Sequence, residues 1–185
     1  MRLAAAFVAL VLLLPAARAQ APDSESVLRA AVSEALWPGD IVRAAERYLQ
    51  AYPGSAASPA IAAEREQALE AWRVVRMPDL RLYRSAFVSN GTEPAQRDDL
   101  RRAALGDRGA AVRLAQASRG QDGLQGTERW VGWLQFAAAL GDDEASYALA
   151  LHYRRTGQPL LASRYETRAL ALGYRPAPSL DHVRK

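Results

Sequence analysis

The chain has 185 residues, half of them hydrophobic, with 24 lysines or arginines against 20 aspartates or glutamates. It has no cysteine, which excludes disulfides, thiolate metal sites, cysteine catalysis and lipidation of a mature N-terminal cysteine. The formal charge is +4, but the signs are interspersed, as in Glu64-Arg65-Glu66 and Arg97-Asp98-Asp99; with no clustered basic stripe, nucleic acid is not an expected partner.

The N-terminus comes first. Arg2 is followed by an uncharged apolar run from Leu3 to Leu14, then Pro15, then the small residues of Ala17-Arg18-Ala19. This is the layout of a secretory signal peptide, shorter than the ~20 residues of a spanning helix. Residues 1–19 are expected to be removed after Ala19, leaving 166 residues with 22 basic and 20 acidic side chains, a net charge of +2. A chain of that length suits one domain. No second apolar run is long enough to span a bilayer, so the expected location is the periplasm or the medium, with no stable membrane insertion after cleavage.

The remaining elements all read as helices. Val27, Leu28, Ala31, Val32, Ala35 and Leu36 fall on one helical face, and Pro38-Gly39 is expected to end that helix. Asp40 is placed to cap the next, whose apolar face is Ile41, Ala44, Ala45, Tyr48, Leu49 and Tyr52. After the turn at Pro53-Gly54-Ser55, Ser58-Pro59 marks a helix start carrying Ile61, Ala68, Leu69, Trp72 and Val75, and Pro78 should end it. A shorter helix is expected from Asp79 to Val88, with Leu80, Tyr83 and Phe87 inward. Asn90-Gly91-Thr92 reads as a turn that also spells a glycosylation sequon, and Thr92 or Glu93 opens a helix ending near Leu105.

The second half repeats itself. Gly106-Asp107 recurs as Gly141-Asp142, and at that offset Ala110, Leu114 and Ala115 match Ala145, Leu149 and Ala150. Trp133, Ala137, Ala139 and Leu140 match Tyr165, Ala169, Ala171 and Leu172, leading to Gly173. The three Ala-Leu-Gly glycines are 35 and 32 residues apart, the period of a helix hairpin. Each glycine can close a helix at φ > 0, and each aspartate sets a negative charge at the next helix start.

The second copy, with Gly141-Asp142, Ala145, Tyr147, Leu149, Ala150, Tyr153, Gly157, Ala162, Tyr165, Ala169, Leu172 and Gly173, resembles the Sel-one-like repeat, a relative of the tetratricopeptide repeat. The resemblance covers residues 94 to 173; the first copy departs from it with Arg113 in place of Ala148 and a longer loop from Gly120 to Thr127. Residues 40 to 70 are loosely tetratricopeptide-like. The expected organisation is a signal peptide (1–19), an N-terminal helical region (20–92), Sel-one-like repeats (93–175) and a tail (176–185). The resemblance implies an all-α solenoid of antiparallel hairpins that mediates protein–protein contact as a non-catalytic scaffold or adaptor. Gly106, Leu114, Trp133, Gly141, Leu149, Gly157, Tyr165 and Gly173 would be its structural positions.

Other chemistries find little support. His152 and His182, the only histidines, lack metal-ligand spacing, and no serine sits in a nucleophile elbow. The stretch Gly120, Gly123, Gly126 lacks a following Gly-Lys-Ser or Gly-Lys-Thr. Asp142-Asp143-Glu144 reads as first-turn acids, and Asp98-Asp99 is flanked by arginines. No metal, cofactor or catalytic residue is therefore expected. Arginines and aromatics dominate interface hot spots, so Arg113, Arg129, Trp130, Tyr153 and Arg154 are the candidate contact face, with Trp130 expected at the surface. Two rivals remain: a cell-envelope enzyme accessory factor, and a structural subunit of an envelope complex, the latter suggested by the uncovered final helix.

Overall fold

A computed structural model describes residues 24–89, 93–119 and 126–175, with residues 126 and 127 described in backbone only. The expected signal peptide, the sequon, the glycines at 120 and 123, His182 and the tail lie outside the described residues. Within them the chain is all-helical: α1 (Glu25–Glu34), α2 (Pro38–Ala51), α3 (Ser58–Val75), α4 (Pro94–Ala104), α5 (Arg108–Arg119), α6 (Gly126–Ala139), α7 (Asp143–Arg155) and α8 (Pro159–Ala171). A single 3-10 turn, Arg84–Phe87, lies between α3 and α4. Each helix packs mainly on its neighbours in sequence, and α3 also reaches α6. No described helix is long and apolar enough to cross a membrane.

The second-half helix ends are closed by one local device. Gly106, Gly141, Gly157 and Gly173 have φ of +88°, +95°, +71° and +100°, a region closed to most side chains by their Cβ. After α6, the Gly141 N–H donates to Ala138 O and the Asp142 N–H to Ala137 O, both at 3.0 Å. The same paired bonds recur after α4, α7 and α8, satisfying carbonyls the helix leaves orphaned. The next helix then begins on the aspartate. Asp107 Oδ1 accepts from Ala110 N–H at 2.9 Å and Asp142 Oδ1 from Ala145 N–H at 2.7 Å. The Ala110 bond, helped by Arg102, holds the Asp107 carboxyl below its ordinary pKa.

Between these ends the helices meet through small residues. Ala103, Ala104, Ala110, Ala111, Ala115, Ala137, Ala138 and Ala169 are fully buried. Such positions let backbones approach closely, and Leu114, Leu149, Trp133 and Phe136 fill the space between. Two arginines secure the C-terminal end of α6 from different helices. Arg108 of α5 donates to Gly141 O at 2.9 Å, and Arg168 of α8 to Ala138 O at 2.9 Å. Both place positive charge where the helix dipole favours it.

The first three helices use a different scheme. Leu28, Val32, Ala44, Ala45, Tyr48 and Ile61 form a small core of their own. At its edge the fully buried Tyr48 donates its hydroxyl proton to Glu25 Oε1 at 2.6 Å, and Ser55 Oγ also donates to that oxygen. These bonds from Ser55 and Tyr48 hold the Glu25 carboxyl below its ordinary pKa. The far sides of α2 and α3, with Ile41, Val42, Ala68, Ala71 and Val75, join the main core with α4 to α8. Arg101 of α4 bridges the two by donating to Ala35 O at 3.0 Å and pairing with Glu64.

Several sequence expectations are corrected here. Pro38-Gly39 does not end a helix: α1 stops at Glu34 and Pro38 opens α2, a position where its missing N–H costs nothing. Asp40 therefore sits in the first turn rather than at the cap, and pairs with Arg43 and Arg84. Ser58 is the first residue of α3, and its hydroxyl donates to Tyr52 O at 2.6 Å instead of capping. Val27 is 55% exposed, so the apolar face of α1 is narrower than its spacing implied. The expected helix from Asp79 to Val88 is absent. Residues 77–83 form a non-helical strap that crosses α6, followed only by the 3-10 turn. Leu82 and Phe87 are buried and Leu80 is half-buried against the main core, whereas Tyr83 is 69% exposed.

Candidate functional site

The strap exists because α6 carries a glycine in its middle. A Cβ on Gly132 would lie 2.6 Å from Arg81 O, so only glycine lets the two backbones touch. One turn on, Gln135 reads the strap: its Oε1 accepts from Arg81 N–H at 3.0 Å, and its Nε2 donates to Tyr153 hydroxyl at 3.0 Å. Gln135 is buried and both ends of its amide are satisfied, as a buried polar group requires. The 3-10 turn after the strap ends in Phe87, whose ring meets Trp37 at 5.0 Å, Trp133 at 4.7 Å and Phe136 at 6.3 Å. That aromatic knot fixes the end of the turn against α6 and the start of α2.

Beside the strap lies an open cleft of about 1310 Å³. The strap and the 3-10 turn after it form one wall from Pro78 to Ala86, and α6, α7 and α8 supply most of the rest. Tyr153 and Tyr165 stack across the α7–α8 hairpin with ring centres 5.5 Å apart and planes 17° from parallel. Burial pushes both phenols above their ordinary pKa, so both keep their protons at neutral pH. His152 sits between Trp130 and Tyr153, each ring centre 5.3 Å away. Burial, aided by the Arg155 charge, pulls its pKa down, so it is neutral near pH 7. Asp79 of the strap is tied to Arg164 of α8 at 2.9 Å. No group of three or more histidine, cysteine, aspartate or glutamate side chains suited to a metal occurs among the described residues.

The five candidate contact residues are not brought together. Arg129 and Tyr153 line the cleft. Trp130, expected at the surface, is 9% exposed, packed beneath His152 with the Arg119 guanidinium 5.4 Å above its ring. Tyr153 is likewise buried, although it lines the cleft, and its hydroxyl accepts from Gln135. Arg113 is exposed but held by Asp99 of α4, donating to its Oδ1 at 2.6 and 2.9 Å and to its Oδ2 at 3.2 Å. Arg154 is exposed and pairs with Glu166 at 2.6 Å. Neither lines the cleft. The residues that do shape it, Gln135, Arg81, Arg164 and Tyr165, were not among the candidates for contact. The one sequence signal pointing to them is Gly132, a glycine inside a helical pattern, which marks a close backbone approach.

No family model matches the chain, and no curated protein and no solved structure is detectably similar to it.

Proposed function

We propose that the chain is an exported helical-repeat protein of the Sel-one-like type, a short solenoid whose hairpins hold a protein partner without catalysing a reaction. The hairpin code supports the solenoid. Four helix ends close on glycine in the same way, two of them followed by a capping aspartate, and successive helices lean on one another in chain order. The layout of residues 1–19 supports export.

The observation that carries the binding reading is the cleft. At about 1310 Å³ it exceeds the ~300–1,000 Å³ typical of small-molecule sites and is open to solvent, which suits a segment of polypeptide. Cross-linking of the full chain in its native cells, followed by mass spectrometry, tests this. The expected result is one recurrent protein joined through residues lining the cleft, on a product whose N-terminus is Gln20. Full-length chain embedded in membrane would overturn export. Turnover of an envelope substrate by the pure polypeptide would overturn the non-catalytic role.

A second reading, a structural subunit of an envelope complex, is favoured by one feature. The final helix exposes Leu160 at 86% and Leu170 at 57%, with no following described helix to cover them. A monomeric mass by light scattering, with no slower species at high concentration, would count against it.

A further inference from the structure

The cleft walls are not chemically neutral. Three arginines line them, Arg81 on the strap, Arg129 on α6 and Arg164 on α8, against two acidic residues, Asp79 and Glu128. Asp79 is already engaged by Arg164. Arg81 has no ion-pair partner among the described residues, yet its backbone is anchored to Gln135, so its position is fixed while its charge is unspent. The Tyr153 hydroxyl accepts from Gln135 Nε2 and so retains its own proton to donate. Tyr165, stacked on it, adds a second phenol. Between these donors Val131 and Leu161 offer apolar surface.

The strap shows what this face accepts. It is non-helical chain seated on α6, read through one backbone N–H by Gln135, with Leu82 buried to 4%. We propose that the cleft takes a second extended segment, from a partner protein, in which acidic side chains alternate with apolar ones. Its carboxylates meet Arg81 and the hydroxyls of Tyr153 and Tyr165, and its apolar side chains rest on Val131 and Leu161. This rests on the partner-holding reading above and adds the chemistry of the partner.

Fluorescence anisotropy of the full chain with three end-blocked, fluorescein-labelled peptides tests it. The first is Ala-Glu-Leu-Glu-Ala-Leu-Glu, the second has glutamine in place of every glutamate, and the third has lysine. The acidic peptide should bind about tenfold tighter than the glutamine peptide, since charge-assisted hydrogen bonds supply that difference, and the preference should shrink as salt rises. Arg81→Gln, an exposed change, should remove most of the preference with helical circular dichroism unchanged. Equal binding of acidic and glutamine peptides, or preference for the lysine peptide, would overturn the inference while leaving a partner-holding cleft with another occupant. No binding of the acidic peptide would overturn it as well. So would displacement of that peptide by inorganic phosphate at equal molar concentration, which reduces the site to a simple anion contact. Failure of the broader reading shows separately, as cross-linking that recovers no recurrent partner.

Discussion

The first three helices and the last four solve the same problem differently. Before α5, on either side of α7 and at the end of α8, the solution is local: a glycine at positive φ and, before α5 and α7, an aspartate on the next helix start, all within a few residues. Where α1 to α3 turn, it is distant. Tyr48 and Ser55 hold Glu25, 23 and 30 residues away in sequence, and the turn glycine Gly54 has no positive φ and nothing within 4 Å of its would-be Cβ. A local device can be copied along a chain with its spacing, whereas a distant one fits a single place. The glycine closure accordingly recurs at four helix ends, while the Glu25 contact occurs once among the described residues.

Substitutions can break this contrast or sharpen it. The largest effect is expected from Leu149→Asp, which places an unpaired charge at a fully buried position in α7; a loss of about 4 kcal/mol or more, read as lost helical circular dichroism and an early melt, is expected. Unchanged melting would refute the packing of the repeated half. Gly132→Val comes next. Its Cβ meets a backbone oxygen, and the gain in helix propensity offsets only part of that clash, so a net cost of about 2 kcal/mol is expected. The strap should loosen first, giving faster tryptic cutting at Arg81 and Arg84, while α5 to α8 stay folded.

The third test pairs two glycines. Gly141→Ala should cost about 1–2 kcal/mol because φ is +95°, whereas Gly54→Ala should be neutral or stabilising by up to about 0.5 kcal/mol through the unfolded chain. Equal effects in chemical denaturation would erase the distinction drawn between the halves. The smallest change is expected from Tyr48→Phe, a fall of a few degrees in Tm. It carries a pH signature. Glu25 has a depressed pKa in the folded state, so its contribution is complete above its ordinary value of 4.5 and is lost as pH falls through the lower folded value. Removing the Tyr48 donor should shrink that acid-side loss. An acid limb identical to the parent's would show that the Glu25 bonds contribute nothing.

The same contrast explains what was readable in advance. Helix boundaries in the second half followed from Gly106, Gly141, Gly157 and Gly173, because a closing glycine acts on its own neighbours. The strap was not readable, since Leu80, Tyr83 and Phe87 do fall at helical spacing. What overrides that pattern is tertiary: Gln135 takes the Arg81 N–H, and Phe87 is drawn into a ring cluster built from α6 and Trp37. Pro38-Gly39 misled for a related reason, because proline marks a helix start as well as a stop. The cleft was legible only in fragments. Arg129 and Tyr153 were flagged by residue type, while Trp130 belonged to the same type and is packed inside. Residue type alone does not say which side of a helix faces a groove made by a distant segment.

The two arginines on the α6 terminus have a mechanical meaning. Arg108 and Arg168 come from helices on either side in the chain and grip the same few carbonyls, so that end cannot slide without breaking charged bonds on both flanks. Farther along, Gly132 and Gln135 hold the strap against the same helix, so one element is fastened by its chain neighbours at its end and by a remote segment at its middle.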